Sequence, residues 1–129
     1  MRQVFLIRLA LILGVGTFAA ITVFMRRDGS VPDGNAAPAE TLAMMRYAVW
    51  GLSAFAVAWA FFWKARVEAA PTEAQVNSGL IVGWAPGEAV ALFGTVQHFV
   101  GGPLATMAFG LLAFVVVLLI LRVPTPPRS

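Results

Sequence analysis

Cysteine is absent from this 129-residue sequence, which excludes disulfide bonds, thiolate metal sites and a thiol nucleophile. Charged residues are also scarce at 12%, about half their share in a soluble domain, whereas hydrophobic residues reach 60%. The sequence contains no serine elbow, no paired carboxylates in helical register, no phosphate-binding loop and no metal-spaced histidine cluster. We therefore expect a protein that is not an enzyme, that holds no metal or cofactor, and that is surrounded mainly by lipid.

Four uninterrupted apolar runs occupy residues 9–25, 47–63, 80–100 and 104–121. Each run is long enough to cross ~30 Å of hydrocarbon at ~1.5 Å per helical residue. None of them carries a charged stripe at helical spacing, as a helix of a soluble bundle would. The sequence predicts an all-α fold, a four-transmembrane-helix antiparallel bundle with short loops and no soluble domain, in a single membrane domain over residues 1–129. The predicted helices are about 5–25, 43–64, 79–100 and 103–122.

A cleaved signal peptide is the alternative for the first run, because Arg2 and Arg8 give it a basic start. Arg26 and Arg27 close the far side of the run, and the small-x-small site at 37–39 is too far downstream for ordinary cleavage. These residues favour a retained span.

Lysine and arginine are distributed unequally between the two sides of the predicted membrane. The side that holds both termini and the second loop carries Arg2, Arg8, Lys64, Arg66, Arg122 and Arg128, whereas the first loop is flanked by Arg26, Arg27 and Arg46. Because cytoplasmic flanks carry the excess of basic residues, both termini are predicted to be cytoplasmic. High alanine, glycine and arginine usage suggests a bacterial inner membrane.

The net charge of +3 comes from arginines at the ends of the apolar runs, where long side chains reach lipid headgroups. A nucleic-acid surface would instead gather these charges on one face with stacking aromatics. We therefore expect the lipid bilayer as a partner and no nucleic acid.

Connections and aromatic residues complete the predicted layout. Irregular segments are expected at 27–41 and in the tail from residue 124. A loop is expected at 65–78, and within it residues 71–75 begin a turn that leads into the third helix.

Interfacial aromatic belts are predicted at the two ends of the second span, with an aromatic cofactor box as the alternative. The belt residues are Tyr47, Trp50, Trp59, Phe61, Phe62 and Trp63.

Small and polar residues share one face of the third helix at ~100° per residue. Residues spaced four or seven apart allow neighbouring backbones to approach in lipid, so this face is predicted to pack against other helices. The helix-packing residues are Gly79, Gly83, Gly87, Ala91, Gly94, Thr95, His98 and Gly101.

Glu88 lies near the middle of the third run, two residues after Pro86. A carboxylate inside a membrane is costly, so it is a candidate ion-handling residue. The alternative is a protonated acid that hydrogen-bonds a neighbouring backbone carbonyl or hydroxyl. Pro86 has no N–H and leaves the carbonyl of Val82 without its usual partner, which predicts a kink or a bound water nearby.

His98 lies ten residues beyond Glu88, about 15 Å along a helix axis, so the two cannot share one proton or one metal. A lone histidine without cysteine or a close carboxylate is a poor metal site. We therefore assign His98 to packing and expect no metal.

The segment Gly87-Glu88-Ala89-Val90-Ala91-Leu92-Phe93-Gly94 resembles the carboxylate-bearing helix of proteolipid ring subunits of rotary ATPases. This resemblance covers one helix and implies that Glu88 carries an ion. The plan of the whole chain, with an acidic third helix of four and a proline-containing tail, is similar to small uncharacterised four-helix bacterial membrane proteins.

Two functions follow from the sequence. The first is a structural or accessory subunit of a membrane assembly, acting through helix packing with other subunits or with further copies of the chain. The second is a proton- or cation-handling, proteolipid-like subunit that uses Glu88.

Overall fold

The computed structural model describes residues 2–27 and 37–123, and these residues form four helices and no strand. The fold of the described residues is therefore all-α, as the sequence predicts. The helices are α1 (Arg2–Arg27), α2 (Ala39–Ala69), α3 (Glu73–Phe99) and α4 (Leu104–Ile120). Most of the predicted 27–41 connection and the tail from residue 124 lie outside the described residues.

Three of the four helices, α1, α2 and α3, are long and apolar enough to cross a membrane. The fourth, α4, is more apolar than the others but has only 17 residues, which corresponds to about 25 Å of helix. A helix is thus present at each of the four predicted positions, and α4 is the shortest of them.

Helices α2 and α3 extend beyond the predicted 43–64 and 79–100, so only residues 70–72 separate them where a loop at 65–78 was expected. The apolar runs mark the part of each helix suited to lipid, whereas backbone hydrogen bonding continues into the charged flanks. Thr72 is the N-cap of α3, since its hydroxyl accepts a hydrogen bond from the Gln75 amide at 3.2 Å. The turn predicted at 71–75 is therefore this helix start.

Helix α3 lies at the centre of the packing and contacts α1, α2 and α4. Half of the residues in its most apolar window are buried, against 17% in α1 and 22% in α2. Helix α1 packs against α3 and, within the described segments, makes no backbone-level contact with α2. The helix with the most glycines is thus the one that contacts all three others.

Contacts along α3 fix the direction of its neighbours. The start of α3 at Gly79 lies beside Val67 near the end of α2, and Gln97 near its end bonds the Leu42 carbonyl near the start of α2. Met107, near the start of α4, likewise lies beside Gly94, and Leu121, directly after the end of α4, lies beside Gly83. Both α2 and α4 therefore run opposite to α3.

Large apolar side chains are exposed on all four helices, including Leu13 at 60%, Phe24 at 67% and Met44 at 72%. The buried interior is smaller and contains two main clusters that both include residues of α3. Such widespread apolar exposure is what a lipid-facing surface requires and what a water-facing surface avoids. The largest fully buried side chains are Trp84, Leu80, Leu121, Gln97, Val4 and Val49.

Candidate functional site

The small residues of α3 lie where the neighbouring helices come closest. A Cβ added at Gly79 would come within 2.8 Å of Val67 on α2, and one added at Gly87 would meet Val117 on α4 at 3.1 Å. Gly83 lies between Trp63 of α2 and Leu121, the residue that follows α4. These three glycines, all among the predicted packing residues, thus lie against other parts of the same chain.

The closest backbone approach is between α3 and α4. A Cβ at Gly94 would lie 3.2 Å from the Thr106 carbonyl oxygen, and one at Gly110 would lie 2.8 Å from that of Val90. Ala91 and Thr95 are fully buried on the same face, and the Thr95 hydroxyl donates to the Ala91 carbonyl at 2.8 Å. Gly110 was not among the predicted residues, although it is the one glycine of α4.

The carbonyl that Pro86 leaves without an amide partner is occupied by a side chain. The indole N–H of Trp59 on α2 donates to the Val82 carbonyl oxygen at 3.0 Å. Trp59 also stacks on Phe55, with ring centroids 5.6 Å apart. Trp59 was predicted as part of an interfacial belt, and its hydrogen bond additionally links α2 to α3 at the proline.

A second tryptophan and an arginine satisfy carbonyls at the end of α4. The indole of Trp84 donates to the Leu121 carbonyl at 3.0 Å, and Nη2 of Arg8 donates to the Leu118 carbonyl at 2.9 Å. The Arg8 guanidinium carbon lies 5.9 Å from the Trp84 ring centroid. Because the last carbonyls of a helix lack intrahelical partners and carry partial negative charge, a cation there is stabilising. Arg8 thereby attaches α1 to the end of α4.

The turn between α3 and α4 is a Schellman motif. Gly101 has φ 112°, its amide donates to the His98 carbonyl at 3.1 Å, and the Gly102 amide donates to the Gln97 carbonyl at 2.8 Å. Nδ1 of His98 lies 2.9 Å from the Gly102 carbonyl oxygen, so this nitrogen carries the proton. His98 is thus a buried part of the turn. Gly101, predicted on the packing face of the helix, lies beyond the end of α3 at Phe99 and provides the left-handed backbone of the turn.

The same turn is tied to the start of α2. The Ala37 amide donates to the Val100 carbonyl at 2.8 Å, and the Gln97 side chain donates to the Leu42 carbonyl at 3.1 Å. Gln97 is completely buried, and its own side-chain oxygen has no partner within the part of the chain that the structure describes. Its role was missed because glutamine inside an apolar run gives no periodic signal.

Glu88 is half-buried on α3, one residue beyond the contact of Gly87 with α4. No hydrogen bond or ion pair joins its carboxyl group to another residue of the described segments, and Arg46 instead stacks on aromatic rings. No group of three or more metal-ligating side chains occurs among residues 2–27 and 37–123. Glu88 is therefore an isolated titratable group near the middle of α3.

One end of the helices is rich in charge. Lys64, Glu68 and Arg122 line a cavity of about 740 Å³ between the end of α2 and the end of α4. Arg8 reaches the same end of α4, close enough to Arg122 for the two like charges to interact. Basic residues that the sequence assigned to one side of the membrane thus meet at one end of the fold.

Comparison with known proteins gives no match to a protein-family model, to a curated protein or to a solved structure.

Proposed function

We propose that this protein is an integral membrane protein, a four-helix antiparallel bundle that serves as a structural or accessory subunit of a membrane assembly through helix packing. The observation that carries this proposal is that the small and polar residues of the chain contact neighbouring helices. Glycines of α3 admit neighbouring helices, and Trp59, Trp84 and Arg8 bond carbonyls of other helices. In the described segments, these groups therefore serve to join helices to one another.

The proposal includes a fourth span made by α4. This helix follows α3 through a tight turn, runs back along it, and is bonded at its far end by Arg8 and Trp84. A span shorter than ~30 Å of hydrocarbon is accommodated by local thinning of the bilayer or by flanking residues that reach the interface. Arg122, directly beyond the end of α4, is such a residue.

The proposed orientation places both termini in the cytoplasm of a bacterial cell, with the chain in the inner membrane. Arg8, Lys64 and Arg122 gather at the end that would face the cytoplasm. Arg46 lies at the opposite end, beside the start of α4. This separation supports the positive-inside assignment.

A glycine substitution tests the packing role, with the larger assembly as readout. Gly94→Leu would press a side chain into the α4 backbone, whereas Gly51 on α2 has nothing within 4 Å of an added Cβ. Native gel electrophoresis of gently extracted membranes should show that Gly94→Leu loses the larger complex and that Gly51→Leu retains it. An unchanged complex in the Gly94 variant would count against the proposal.

The alternative function is proton or cation handling by Glu88. It is favoured by one observation: no described residue offers Glu88 the hydrogen bond that a purely structural carboxylic acid would need. Glu88→Gln should abolish both carboxyl-selective carbodiimide labelling and proton flux in liposomes. Flux that survives the change would eliminate this alternative.

A further inference from the structure

A groove runs between α2 and α4 on the outside of the fold. It consists of two adjoining cavities of about 450 Å³ and 390 Å³ that share Trp50 and Phe109. Its upper part is lined by Arg46 and Thr106, and its lower part by Ser53, Ala54 and Leu112. The groove is therefore charged at its mouth and mostly apolar beneath.

Arg46 forms the charged mouth of the groove. Its guanidinium carbon lies 5.3 Å from the Tyr47 ring centroid and 5.2 Å from that of Trp50, so two aromatic rings hold the side chain in place. Its Nε is buried and has no hydrogen-bond partner, and no carboxylate of the described segments pairs with it. The buried Nε cannot reach an outside molecule, so the groove offers an anion the positive charge and the two terminal nitrogens of the guanidinium group.

Ser53 supplies a second unsatisfied group in the lower part. Its side chain is only 4% exposed, and its hydroxyl has no partner among the described residues. It lies two helical turns deeper than Arg46, about 10 Å along α2. The groove therefore offers a cation at its mouth and an apolar channel beneath it, and the Ser53 hydroxyl is buried in the channel wall.

We propose that this groove binds one anionic phospholipid, with the phosphate on Arg46 and one acyl chain along Trp50 and Phe109. Charge complementarity selects this occupant, because among the described residues the only charged group that lines the groove is the Arg46 cation. Basic residues beside grooves between membrane helices are suited to anionic headgroups.

Native mass spectrometry of the detergent-purified full chain tests the headgroup contact. Dioleoyl-phosphatidylglycerol and dioleoyl-phosphatidylcholine share their acyl chains, so they differ only in headgroup. The first bound lipid should show a preference for phosphatidylglycerol of about fivefold, the ratio for ~1 kcal/mol per basic residue near anionic lipid. Arg46→Gln should lose this preference.

Arg26→Gln is the matched control, because Arg26 is at the same end of the fold and lines none of the cavities described here. It should retain the preference. Equal preference in the wild type and in Arg46→Gln, or equal loss in both variants, would overturn the proposal.

A second pair of variants tests the acyl channel independently of charge. Ala54 lines the groove, whereas Ala58, one turn further along α2, is exposed and does not. Ala54→Phe should reduce binding of both lipids, and Ala58→Phe should leave it unchanged, with far-ultraviolet circular dichroism confirming that both variants are helical. Undiminished lipid binding by Ala54→Phe, or release of a protein subunit in place of lipid, would refute the lipid assignment.

Discussion

The Val82 carbonyl is free to accept a hydrogen bond from Trp59 because Pro86 has no amide proton to donate to it. Trp59 and Pro86 should therefore be energetically coupled. Trp59→Phe removes the donor and leaves the Val82 carbonyl without a partner. Hydrogen bonds between membrane helices contribute ~0.6 kcal/mol on average and up to ~1.7 kcal/mol. The 3.0 Å geometry and the absence of a competing amide place this bond in the upper part of that range, at about 1–1.5 kcal/mol.

A double-mutant cycle isolates this term from the loss of ring contacts. Pro86→Ala restores an amide that donates to Val82 within α3, so Trp59→Phe should cost about 1 kcal/mol less in that background than in the wild type. Unfolding in mixed detergent and dodecyl sulfate micelles, followed by circular dichroism, measures the four free energies.

Trp63→Phe is the matched control for the cycle. Trp63 neighbours Trp59 on the same helix, with ring centroids 5.9 Å apart, but its buried indole N–H has no partner in the described segments. Its substitution should show no coupling to Pro86→Ala. An equal cost of Trp59→Phe with and without Pro86 would refute the reasoning.

Three further substitutions probe other contacts by the same unfolding measurement. Gly110→Ala should lower the free energy of unfolding by ~1–3 kcal/mol, because the new methyl meets the Val90 carbonyl. Gly51→Ala, in open space, should be neutral or stabilising. A larger loss of stability in Gly51→Ala than in Gly110→Ala would contradict the packing of α3 on α4. Arg8→Gln should cost ~1–2 kcal/mol by weakening the attachment of α1 to α4, and a smaller effect than that of Arg27→Gln would argue against this contact. Gly101→Ala should cost ~1–2 kcal/mol at φ 112°, and no cost would mean that the turn is not left-handed.

The number and order of the helices were predictable because lipid imposes a simple requirement. Every backbone group in an apolar run must bond within its own helix, so long apolar runs are helical. Helix ends were less predictable. Residues 65–69 continue α2 although they are mostly polar or small, because backbone bonding needs no apolar neighbours. Thr72, whose hydroxyl caps α3, was the local signal for the true boundary.

The partners of individual residues could not be derived from the sequence. Helical periodicity places Gly79 and Gly94 on one face, but it does not say that the first meets α2 and the second α4. The missing partner of the Val82 carbonyl follows from Pro86 alone, whereas its donor depends on how α2 sits against α3. Arg8 was interpreted as reaching lipid headgroups, yet it bonds a carbonyl 110 residues away.

The central claim is that this chain works as a structural or accessory subunit of a larger membrane assembly. Native mass spectrometry of the protein gently extracted from its own membranes tests it most directly, since it reads stoichiometry and companions together. We predict that the chain is released with larger membrane subunits in a fixed ratio. A closed ring of many identical copies would favour ion handling by Glu88 instead, and a lone monomer or dimer would contradict the account.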